Sequence, residues 1–72
     1  MNGFKVAIAG ATGAVGREMI KVLEERDFPV AELVPLASER SEGQTLTFRD
    51  REVTVKRLKP DSFAGVQIAL FS

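Results

Sequence analysis

The chain has 72 residues, 44% hydrophobic and 28% charged, which describes a soluble globular segment no longer than one small domain and too apolar for a disordered tail. Ten Lys and Arg balance ten Asp and Glu, so no excess field exists to hold nucleic acid or an anionic membrane by bulk electrostatics. There is no Cys and no His, which removes disulfides, a thiol nucleophile, thiolate metal sites and the commonest general acid–base group; no catalytic residue and no metal site is expected here. The opening MNGFKVAIAG has neither a basic n-region nor a long apolar h-region. No apolar run approaches the ~18 residues of a membrane span, and a cytoplasmic location is the default expectation.

Phe4 to Ala9 reads as a buried strand, with Phe4, Val6 and Ile8 on one face and Ala7 and Ala9 on the other. From Ala14 to Arg26 the residues Val15, Met19, Val22 and Leu23 make one helical stripe, and Asp27 and Pro29 end the helix. Val30 to Ala37 is a second strand, although Pro35 cannot donate to a ladder and suggests an edge or a bulge. Ser38 to Gln44 is a polar loop. Beyond it, Leu46, Phe48, Val53 and Val55 alternate with polar residues around a turn at Asp50 and Arg51, predicting a hairpin with Phe48 opposite Val53 and Leu46 opposite Val55. That turn lacks the glycine a tight hairpin prefers. Lys59 to Ala64 is at most a short helical turn, and Val66 to Phe71 is a last strand with apolar residues on both faces.

This order implies an α/β, Rossmann-like, mostly parallel sheet with a β-hairpin, because the first two strands are joined by a helix that must cross over. Parallel sheets need both faces covered, and one full helix cannot cover several two-sided strands. A domain this small buries only about 60% of its unfolded surface. Residues 1–72 are therefore expected to be the amino-terminal part of one larger domain, completed by the remainder of the same polypeptide or by a partner covering the sheet.

Gly10 to Gly16 reads GATGAVG, directly after a strand and opening a helix. A diphosphate needs unencumbered backbone donors at a helix amino terminus, where free N–H groups and the helix dipole favour negative charge. Gly10 allows the sharp exit from the strand, Gly13 the close approach of phosphate oxygens, and Gly16 the packing of helix on sheet; Thr12 offers a hydroxyl as cap or phosphate contact. The competing reading is a tight turn that holds nothing. The spacing departs from GxGxxG and by itself says only "dinucleotide".

At the carboxyl end of the second strand, where an acidic residue would bond the ribose hydroxyls of NAD, stand Ser38, Glu39, Arg40 and Ser41. Arg40 can make charge-assisted bonds to a 2′-phosphate, with Ser38 and Ser41 as neutral donors, which suits NADP. Glu39 complicates this, since a carboxylate pointing inward would repel the phosphate, and a solvated polar loop is the bland alternative. Arg49, Arg51, Lys56, Arg57 and Lys59 are interrupted by Asp50 and Glu52 without an aromatic platform, and read as a solvated hairpin face with no nucleic-acid groove. The five Phe residues sit in or beside apolar runs and read as core.

GATGAVG at Gly10 to Gly16, LASERSEG at Leu36 to Gly43 and the closing ALFS together resemble the amino-terminal part of the aspartate-semialdehyde dehydrogenase family, over essentially the whole chain. The resemblance implies an NADP-dependent oxidoreductase that reductively dephosphorylates aspartyl phosphate to aspartate semialdehyde on the route to lysine, methionine and threonine. It implies that Gly10, Thr12, Gly13, Ala14 and Val15 form the pyrophosphate-binding turn and that Ser38, Arg40 and Ser41 clamp the 2′-phosphate. The family's nucleophile is a cysteine assisted by a histidine, and neither type occurs here, so the segment alone is expected to be inactive. A homo-oligomer is the expectation for the full-length protein. The acetylglutamyl-phosphate reductase family, which matches LASERSEG less well, and a noncatalytic nucleotide-binding or assembly module are the alternatives.

Overall fold

The computed structural model describes residues 3–72. In chain order it contains β1 (Phe4–Ala9), α1 (Ala14–Glu25), β2 (Val30–Ala37), a 3₁₀ turn (Glu39–Ser41), β3 (Thr45–Phe48), β4 (Arg51–Thr54), β5 (Lys56–Arg57), a second 3₁₀ turn (Pro60–Phe63) and β6 (Ile68–Phe71). Four strands form one sheet in the order β5-β2-β1-β6, every ladder parallel, and β3 and β4 form a separate antiparallel pair. The expected Rossmann-like α/β fold with an added hairpin is what the chain adopts.

The core follows from the period-2 pattern of β1. Val6 and Ile8 are fully buried, register with Leu33 and Pro35 of β2 and with Ile68 and Leu70 of β6, and pack with Ile20, Leu23 and Phe48. Complete burial of a side chain such as Ile8 contributes about 1.5–3 kcal/mol. α1 and the hairpin thus share one face of the sheet. The buried seam of α1 runs through Gly16, Ile20 and Leu23, while Val15, expected on the buried stripe, is 61% exposed. Asp27 takes a φ of 51° after the helix, closing it where turn chemistry placed its end.

Pro35 does not mark an edge. β2 lies between β1 and β5, and Pro35 is fully buried. The Leu36 carbonyl faces β1, accepting from Gly10 N–H, so the preceding Pro35 turns its missing donor toward β5. That ladder starts only at Leu36 and Lys56, so no bond is lost.

The hairpin register also differs from expectation. Its two-residue loop is Arg49–Asp50, so Phe48 pairs with Arg51 and Leu46 with Val53, and Val55 lies beyond the strand against Gly43 and Gln44. Arg49 and Asp50 have φ of 53° and 65°, the primed-turn geometry that matches strand twist without any glycine. Contacts to α1 hold it there. The Glu24 carboxylate accepts the Arg49 amide at 2.6 Å, and the Arg49 guanidinium donates to the carbonyls of Leu23 and Phe28 at the end of the helix. Arg49 is thus a helix-end clamp, not part of a solvated face. The phenylalanines divide similarly: Phe48 is core, whereas Phe4 is 40% and Phe71 is 67% exposed.

Candidate functional site

The carboxyl ends of β1, β2 and β6 meet at one rim of the sheet, and the chain leaves β1 toward β2 on one side while β6 lies on the other. Open α/β sheets hold their ligands outside such a switch point. The glycine turn stands there. The Leu36 carbonyl accepts from the amides of Gly10 and Ala11 at 2.9 and 3.0 Å, binding the turn to β2. Gly13 N–H donates to Gly10 O at 3.1 Å, and Arg17 N–H begins the helical ladder on Gly13 O at 2.9 Å. The Arg17 guanidinium, on the helix flank, also donates to the Thr12 carbonyl at 3.0 Å.

The three glycines have different physical reasons. Gly10 has φ of 83°, and a side chain there would overlap the Ser72 hydroxyl. Gly16 is buried against the turn, where a methyl group would overlap the Gly10 carbonyl and lie 2.8 Å from Ala11 Cα. Gly13 needs neither explanation. Its φ of −79° and ψ of 171° suit any residue, and a methyl group would meet only Gly10 O, at 3.6 Å. Its bare Cα borders open space at the start of a 12-residue helix that has no side-chain cap and no acidic residue in its first turn. By helix geometry the amides of Ala14, Val15 and Gly16 have no intrahelical acceptor, the condition under which a helix start can take an anion. These residues fit the pyrophosphate of a dinucleotide.

The second predicted segment lies alongside. Ser38 is extended, and Ser41 N–H returns to Ser38 O at 3.0 Å to close the 3₁₀ turn. The Thr12 hydroxyl donates to Ser41 Oγ at 3.2 Å, joining the glycine turn to this one. Arg40 is exposed and has no ion pair or hydrogen bond among the described residues. Glu39, whose direction the sequence left open, accepts from Arg57 Nη2 at 3.1 Å. Of the eight predicted residues, Gly10, Thr12 and Gly13 lie in the glycine turn, Ala14 and Val15 begin α1 directly after it, and Ser38, Arg40 and Ser41 lie in the turn after β2, which the Thr12–Ser41 bond joins to the first.

Sequence reasoning missed Ser72, whose hydroxyl donates to the carbonyls of Ala9 and Gly10 at 3.1 and 3.2 Å and sets the other wall of the turn. Its position at the end of the last apolar run was the only available signal. It also missed the short β5. A concavity of about 1250 Å³ along β2 beneath the hairpin includes none of the eight residues, whereas Ala14 and Val15 border a smaller apolar one of about 390 Å³ with Met19, Val22, Leu23 and Leu70.

The family profile described as "Semialdehyde dehydrogenase, NAD binding domain" matches residues 5–72. Aspartate-semialdehyde dehydrogenase of Aquifex aeolicus is 66% identical over 71 residues, covering 97% of this chain and 21% of the relative. That of Bacillus subtilis is 53% identical over 71 residues, covering 99% and 20%. The crystal structure of aspartate semialdehyde dehydrogenase II complexed with ASA from Vibrio cholerae superposes with a TM-score of 0.93 at 55% identity, covering 99% of this chain and 23% of that one. The chain thus spans about a fifth of the length of the curated relatives it matches. It belongs to the semialdehyde dehydrogenase NAD-binding domain family.

Proposed function

We propose that this segment binds NADP as the amino-terminal part of the dinucleotide-binding domain of an aspartate-semialdehyde dehydrogenase. Gly10, Thr12, Gly13, Ala14 and Val15 receive the pyrophosphate, and Ser38, Arg40 and Ser41 receive the 2′-phosphate. The observation that carries this reading is the Thr12–Ser41 hydrogen bond of 3.2 Å, which makes one continuous polar rim of two segments 29 residues apart. Bound in its reduced form, NADPH, the dinucleotide would supply the hydride for reductive dephosphorylation of aspartyl phosphate and be released as NADP+. The residues of this segment bind and orient it, while the nucleophile and its acid–base partner come from elsewhere in the full-length enzyme, since Cys and His are absent here. A cytoplasmic homo-oligomer belongs to the same reading.

The test is a fluorescence titration of the full-length enzyme with NADPH and NADH. Tighter binding of NADPH is expected, and equal affinities contradict the 2′-phosphate clamp. The same reading predicts no turnover of aspartyl phosphate with NADPH by the isolated 72 residues.

A further inference from the structure

Arg57 lies on β5, where it pairs with Ala37, the residue immediately before the Ser38–Ser41 turn. The Leu58 amide donates to the Ala37 carbonyl at 2.8 Å, and the Arg57 carbonyl accepts the Ser62 hydroxyl at 3.0 Å, so its backbone is held from both sides. From there the guanidinium reaches two carboxylates of the turn: Nη2 is 3.1 Å from Glu39 Oε2, and Nε is 3.4 Å from Glu42 Oε1. Nε is itself shielded from solvent, with Glu42 as its nearest counter-charge. The segment Ser38–Glu42 carries two carboxylates and one guanidinium, Arg40, so without Arg57 the turn is net negative beside a proposed phosphate site.

We infer that Arg57 is a positioning residue for cofactor choice: it turns Glu39 away from the rim and neutralises the turn, leaving Arg40 as the unpaired charge that meets a 2′-phosphate. This deepens the NADP reading and rests on it. Although Nε is shielded, the Arg57 side chain as a whole is 42% exposed and those of Glu39 and Glu42 are 79% and 47% exposed, so these pairs contribute little to stability and the effect of Arg57 lies in the direction and charge of its partners. Loss of Arg57 frees Glu39 to approach the rim, where its charge acts across a partly screened distance on a dianionic phosphate but hardly on a ribose hydroxyl.

The experiment titrates NADPH and NADH against the full-length enzyme, wild type, Arg57→Ala, Arg57→Ala/Glu39→Gln and Glu39→Gln. Arg57→Ala is expected to lower the ratio of NADPH to NADH affinity by roughly three- to tenfold with NADH binding unchanged. Adding Glu39→Gln is expected to recover most of that loss, which no merely structural role of Arg57 would do, and Glu39→Gln alone is expected to keep the wild-type ratio or raise it, never to lower it. Should Arg57→Ala fail to fold, Arg57→Gln is read in the same way. An unchanged ratio, an equal loss for both dinucleotides, or no recovery in the double variant overturns the role of Arg57 while the wild-type preference stands. A wild type without preference for NADPH overturns the clamp itself, and this inference with it.

Discussion

A methyl group at Gly16 would overlap the carbonyl oxygen of Gly10, because the helix that opens at Ala14 crosses the turn that leaves β1 at van der Waals distance. That contact sets the angle between α1 and the sheet, and through it the direction in which the first amides of the helix point. Gly16 is therefore a folding requirement. Gly16→Ala is expected to destabilise the protein by about 1–3 kcal/mol, the usual range for overpacking, read as a fall in thermal midpoint. Unaltered stability would show that the crossing is looser than the geometry requires.

Arg40 has a different kind of importance. It is exposed and unpaired among the described residues, so its removal leaves no buried charge behind. Arg40→Ala is expected to leave thermal stability within about 0.5 kcal/mol of wild type. It is expected to reduce the preference for NADPH over NADH by ~1.5–3 kcal/mol, the range for hydrogen bonds to charged groups. Competition titrations with the two dinucleotides measure this directly, and an undiminished preference would remove Arg40 from the clamp.

The hairpin loop offers a prediction about stability alone. Arg49 and Asp50 both occupy the left-handed region, and only Arg49 is repaid by contacts to Glu24, Leu23 and Phe28. Asp50→Gly is expected to stabilise by about 0.5–1 kcal/mol, since glycine adopts this conformation freely. Arg49→Ala is expected to destabilise by about 1–3 kcal/mol by leaving helix-end carbonyls without their donor. Both are read by thermal unfolding, with dinucleotide affinity unchanged.

How far the sequence announced these features depends on whether the physics is local. The strand, glycine turn and helix from Phe4 to Glu25 were legible because alternation, glycine spacing and helical periodicity agree there. The partnership of GATGAVG with the Ser38–Ser41 turn was legible only from the rule that both lie at carboxyl ends of neighbouring parallel strands. The hairpin register was not legible. A loop at Asp50 and Arg51 satisfies the alternation equally well, and what selects Arg49–Asp50 is a tertiary bond to the end of α1. β5, two residues long, has no periodicity to read, so Arg57 looked like a solvated charge and its pairing with Glu39 stayed hidden. Pro35 suggested an edge because its local rule ignores which side of a central strand is unpaired.

In the proposed site the bare backbone at Gly13 borders the space that a pyrophosphate would fill, and a methyl group added there probes that space. Gly13→Ala meets only Gly10 O, at 3.6 Å, with a backbone conformation open to any residue. The fold is therefore expected to change in stability by no more than about 1 kcal/mol, including any loss from the helix cap. NADPH affinity of the full-length enzyme, measured by fluorescence titration, is expected to fall roughly ten- to hundredfold as the added methyl group pushes the phosphate from the helix amides, a loss of ~1.5–3 kcal/mol. A folded Gly13→Ala protein that binds NADPH as tightly as wild type would contradict this placement of the pyrophosphate.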